Sequence, residues 1–242
     1  MPHKNSQKVF WGLVIAVTSA LLFVAIFVRQ PTARELVGWA GTVLSTFFGA
    51  LLAFSFNSFR AANEREDKEC TAGNLALMTL AAFRNGLARY HNSYILPVQA
   101  TPDSWYAMQA GNLIDNKLAI DKPSLSFLLA KHEVTWRAVV VEETRYLLLM
   151  DRIGQRNTLV SETVWPKMEA AGIAHGVSTD TERVKQILGP ATTEQLKNVT
   201  GFIVTACPDD IQSLENCITH LRRTLLEIYP HRDFVDPLNG AL

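Results

Sequence analysis

Charge is missing from two stretches near the start of the chain: VFWGLVIAVTSALLFVAIFV, Val9 to Val28, and LVGWAGTVLSTFFGALLAFSF, Leu36 to Phe56. At about 1.5 Å rise per residue, twenty helical residues cover roughly the 30 Å hydrocarbon core of a bilayer. Without an ionisable side chain in either run, a proton relay through the membrane is disfavoured. Proline is missing between Pro31 and Pro97, so the second run can continue unbroken into a long helix. Cysteine is scarce: Cys70, Cys207 and Cys217 are odd in number and widely spaced, which suits a reducing cytosol better than a disulfide framework. The Asn198-Val-Thr200 sequon is then irrelevant.

Catalytic signatures are missing too. The chain has no phosphate-cradling glycine loop, no GxSxG elbow and no closely spaced carboxylate pair in a cleft-forming context. His132-Glu133 opens an HExxH-like string, but Trp136 stands where the second zinc ligand belongs. Cys217 and His220, at i and i+3, could form half a zinc site with Cys207 as a third ligand, yet no paired motif supplies the rest. No catalytic residue, metal or cofactor is therefore expected, and small buried thiols are the ordinary reading of the cysteines.

Two spans separated only by RQPTARE must form an antiparallel hairpin. Lys4 and Lys8 resemble the basic start of a signal peptide, but the first run exceeds the roughly 7–15 residues of such a core, and no small-x-small cleavage site follows it. Lys4, Lys8, Arg60, Arg65 and Lys68 flank the hairpin on one side, against Arg29 and Arg34 in its loop. Basic residues stay in the cytoplasm, so both termini are expected there. Trp11 and Trp39 fit the interfacial belts.

The expected organisation is all-α: a transmembrane hairpin in residues 1–59, a helical cytoplasmic domain in 60–230 and a loose tail in 231–242. Four of the 23 basic residues and one of the 23 acidic residues precede Arg60, leaving 19 against 22, so nothing points to a nucleic-acid surface. Ala76, Leu80, Phe83, Leu87, Tyr90 and Tyr94 recur at spacings of four and three, the pattern of a helix–helix seam. Thr179 with Glu182 and Thr192 with Gln195 fit capping boxes, and Pro208 followed by two aspartates reads as a further helix start. No run alternates as strands do.

Between Ser124 and Asn157, Leu125, Leu128, Leu129, Trp136, Val139, Val140, Tyr146, Leu147, Met150 and Ile153 build one apolar helical stripe. His132 and Glu143 fall within it and form the candidate buried polar site, either satisfied by hydrogen bonds or functionally perturbed. The same segment, with its LSFLL opening and IGQRN close, resembles a group of uncharacterised bacterial membrane proteins that carry an N-terminal hydrophobic hairpin and a helical cytoplasmic domain. The resemblance implies a bacterial inner membrane and no activity.

Gly41, Ser45, Gly49 and Ala53 recur every four residues in the second run, and Gly12, Ala16 and Ala20 do so in the first. Lipid is as apolar as leucine, so membrane helices associate through such small-residue grooves. The two grooves can face each other within the hairpin, or one can join protomers. The expected partners are accordingly the lipid bilayer and either another protein or a second copy, with no nucleic acid. Two functions fit: a membrane-anchored sensor or interaction module, or an oligomeric pore-forming effector of the kind used in bacterial defence.

Overall fold

The computed structural model describes residues 33–101, 103–111, 118–174 and 179–239, without the side chains of residues 33–37, 39 and 40. All regular structure among them is helical. The chain divides into two compact units, Met1–Glu64 and Arg65–Leu242. The first predicted span, with Gly12, Ala16 and Ala20, lies outside the described residues, so of the expected hairpin one long apolar helix is seen.

That helix, α1, runs from Ala33 to Tyr90. With no proline to interrupt it, the helix continues through the charged stretch, where Arg60 pairs with Glu64 at 2.8 Å and Arg65 with Glu69 at 2.7 Å, both at i,i+4. It ends in a π turn, His91–Ile95, where the Leu96 N–H donates to the His91 carbonyl just before Pro97.

The second unit is built on α1 residues 65–90 and two further long helices, α4 (Glu133–Leu159) and α7 (Pro190–Ile228). Between them lie α2 (Ser104–Ala107) and α3 (Ser126–Lys131), then α5 (Trp165–Ala170) and α6 (Thr181–Leu188). Ala76, Leu80, Phe83, Leu87 and Tyr90 face inward, so the predicted seam serves the unit's own core. Phe83 stacks on Tyr146 with ring centroids 4.0 Å apart, and α7 adds Ile203, Leu214, Ile218, Leu221 and Leu225. A smaller cluster joins Trp105, Val160, Val164, Met168, Val184, Leu188 and Leu196.

Several local expectations are corrected. The stripe over 124–157 is not one helix: His132 adopts φ −147°, ψ 69° and separates α3 from α4, so the two pieces share no common phase. Leu129 and Leu147 are exposed, while Leu149, Glu142 and Arg156 turn inward. The start predicted at Pro208 is absent, because α7 passes through that proline. Burial of Ile203, Cys207, Asp210 and Leu214 on either side outweighs the hydrogen bond that a proline removes. Gly189, at φ +78°, ends α6 and precedes Pro190 in the first turn of α7, displacing the cap predicted at Thr192. Asp180, not Thr179, occupies the N-cap position of α6.

Of the tail expected to be loose, the described residues 231–239 are docked. Phe234 is buried, the Val235 N–H donates to Asn74 Oδ1 at 3.1 Å, and Arg232 bridges Glu66 at 2.8 Å and Asp67 at 2.7 Å. An apolar anchor and matched charges order a segment that lacks helical periodicity.

Candidate functional site

In the first unit, Gly41, Ser45, Gly49 and Ala53 are all exposed on α1. A Cβ placed on Gly41 or Gly49 would meet no described atom within 4 Å, so this stripe is uncovered among the described residues. The large side chains around it are open as well: Phe54 and Phe56 are 73% and 76% exposed. Three hydroxyls in this run are satisfied by the helix itself. Thr42 donates to the Gly38 carbonyl at 3.0 Å, and Ser45 and Thr46 each donate to the Thr42 carbonyl at 2.9 Å.

In the second unit, the sequence-predicted pair His132 and Glu143 is not brought together. The two lie eleven residues apart along the chain, about 16 Å at helical rise. Glu143 is buried; its Oε1 accepts the Ile120 N–H at 2.8 Å, and Lys122 Nζ stands 2.6 Å from its Oε2. It fastens the segment around Ile120 to α4. His132 is half-buried at a different place, on the rim of a cleft of about 250 Å³ that also holds Thr135, His220 and Arg223. There His220 Nδ1 lies 3.2 Å from an Arg223 nitrogen and Nε2 lies 3.0 Å from Thr135 Oγ1. Arginine only donates, so Nδ1 accepts and Nε2–H donates to Thr135, whose hydroxyl meets that of Thr224 at 3.0 Å.

The cysteines take no part in such chemistry. Burial pushes the thiols of Cys207 and Cys217 up to about 12, and Cys207 donates weakly to the Leu87 carbonyl at 3.7 Å. His220 is engaged elsewhere, and among the described residues no three histidine, cysteine or acidic side chains converge on a metal position.

The period-3.6 reading passed over two further clusters. Arg156 is fully buried: Nε donates to Thr200 Oγ1 at 2.9 Å, Nη1 to the Gln109 carbonyl at 3.2 Å, and Nη2 to the Met108 carbonyl. Beside it, Asn157 donates to the Gly111 carbonyl at 2.6 Å. These two residues hold the irregular segment after α2, whose carbonyls have no helix to accept from. Burial lowers the Arg156 pKa to about 10, against the opposing influence of nearby Tyr90.

The second cluster joins α4 to α7. Arg145 sits between two buried carboxylates, 2.6 Å from Asp210 Oδ1 and 3.4 Å from Glu142 Oε1. Ser213 completes it by accepting from Arg145 at 2.9 Å and donating to Glu142 at 2.7 Å. Glu142 Oε2 is buried with no hydrogen-bond partner among the described residues. Desolvation raises the Asp210 carboxyl above its ordinary value, with Arg145 opposing. The sequence did carry a signal: positions 142, 146, 149, 153 and 156 follow the i, i+3, i+4 rhythm, but three polar residues among or beside them hid it.

No protein family, curated protein or solved structure matches the chain.

Proposed function

We propose that the chain is a membrane-anchored helical module whose second unit, in the cytoplasm, binds a partner protein. The observation that carries this reading is the apolar part of α1. Its run from Leu36 to Phe56 is long enough to span a bilayer and free of charge, and its apolar window is unburied by any described residue. Hydroxyl groups that would be costly in lipid are bonded to their own helix, which lowers the cost of Thr42, Ser45 and Thr46 there. Charge resumes at Arg60, four residues after the run, and the helix continues into the core of the second unit. The basic count of five to two supports both ends lying in the cytoplasm, and the resemblance of the Ser124–Asn157 segment supports a bacterial inner membrane.

A reporter fused after Leu242 tests the orientation. A cytoplasmic fluorescent protein should be bright there and alkaline phosphatase inactive; the reverse pattern contradicts the reading.

The open stripe of Gly41, Ser45, Gly49 and Ala53 favours a second reading, in which this groove joins protomers into a pore. A Cβ at Gly49 meets no described atom within 4 Å, so a leucine there reports on whatever seats against the stripe. Dissolution of an oligomer by Gly49→Leu, together with a Ser45→Cys crosslink in native membranes, supports the pore. An unchanged sedimentation profile and no crosslink remove it.

A further inference from the structure

The second unit carries a groove between α4 and α7 that no described residue fills. Two clefts of about 380 and 330 Å³ meet at Phe202, which lines both. Together they run along α4 from Arg145 to Leu159 and along α7 from Asp209 back to Gln195. Fifteen residues of helix on each side, fourteen steps of about 1.5 Å, give a length of about 21 Å, roughly four helical turns. The middle is apolar and open, with Leu148 48% and Phe202 41% exposed.

The two ends differ in charge. At one end stand Asp209 and Asp210, backed by Glu142. Asp209 is exposed and has no partner among the described residues, and Glu142 Oε2 is buried without one. Arg145 is the cation that the cluster holds, so two buried carboxylates share one guanidinium, while Asp209 beside them has no cation among the described residues. Burial magnifies that imbalance because the interior screens charge weakly. Half-way along, Arg152 lies over the Phe202 ring at 5.9 Å, and beyond it the far end is lined by the uncharged side chains of Leu159, Gln195 and Asn198.

We infer that this groove docks a charge-polarised amphipathic helix of a partner protein. Its basic side chain would lie at Asp209 and Asp210, its apolar face on Leu148 and Phe202, and an acidic side chain about two turns further on at Arg152. A lysine or arginine is suited to the first position, since its stem covers apolar surface while its cation supplies the charge the cluster is short of. Laying an apolar face into a groove between helices is a recurrent mode of recognition, and the two charges would set the direction of the bound helix. The inference rests on the partner-binding reading above and assigns it a surface.

The test uses the full chain in nanodiscs and two fluorescein-labelled helical peptides of the same composition, about 14 residues long to match the groove. One carries arginine at its first turn, glutamate about two turns later and leucines on the same face; the other has arginine and glutamate exchanged. Anisotropy titration should show the first binding about tenfold tighter than the second. Phe202→Asp should abolish binding of both. Asp209→Lys should invert the preference, which a general loss of folding cannot do. Equal affinity for the two peptides, no binding of either, or a Phe202→Asp variant that binds as well as the parent overturns the assignment. A chain that stays out of the nanodiscs contradicts the anchoring instead, and the same titration in solution still decides the groove.

Discussion

Arg156 shows how a single residue can organise the second unit. A fully buried guanidinium is costly in an apolar interior, and here the cost is offset by hydrogen bonds to Thr200, Gln109 and Met108. Truncation to alanine would strip those carbonyls of their donors. Arg156→Ala should therefore lower stability by about 3 kcal/mol in chemical denaturation, and Arg156→Lys should recover only part, because an ammonium cannot reproduce the planar fork. A loss under about 1 kcal/mol would mean that water replaces the guanidinium without penalty. Trp136 is a contrasting case. Its place in the stripe implies full burial, yet it is half-buried against the core, so Phe83→Ala, at a fully buried and stacked position, should cost more than Trp136→Ala. These residues were hard to read from sequence for one reason: a periodicity argument treats Arg156 and Glu142 as surface, whereas their burial depends on partners up to 71 positions away.

At the level of elements, what was legible were features with local causes. The proline-free span announces α1, and its spacing of four and three announces the inward seam. What escaped were features with tertiary causes: the break at His132, the passage of α7 through Pro208 and the docking of residues 231–236. The continuity of α7 makes a sharp prediction. Pro208→Ala restores a backbone donor inside the helix and should raise stability by about 1–3 kcal/mol. If two helices met at that residue, the same change would destabilise instead. The docked C-terminal segment should be sensitive to acid. Hydrogen bonds from Arg232 and then His231 hold the Glu66 carboxyl below its ordinary range. Glu69 is lowered as well: burial works against its charge, but Tyr229, Arg65 and Lys131 together outweigh burial. For carboxylates depressed in the folded state, the stabilisation is complete above the unfolded value and is lost as pH falls through the folded one. Amide exchange at Val235, whose N–H bonds to Asn74, should thus accelerate relative to the core of α7 once pH drops below about 4. Equal protection of the two at that pH would show that the charges are not what holds the segment.

For the whole molecule, two kinds of surface are joined in one chain. Residues of α1 before Arg60 expose phenylalanines that no described residue covers, and the unit from Arg65 onward buries its own apolar stripes. A long apolar run without charge was easy to recognise, because hydrophobic length alone sets that signal. The α4–α7 groove was not recognisable in advance, since it exists only once Arg145, Phe202 and Asp209 are assembled from separate helices. The central claim is that the apolar run of α1 is solvated by lipid. Alkaline carbonate extraction of membranes from cells making either the full chain or a chain beginning at Arg65 tests it directly. The account predicts that the full chain stays in the pellet while the shorter chain is recovered in the supernatant, folded and strongly helical by circular dichroism. Release of the full chain by carbonate as a soluble protein would contradict it.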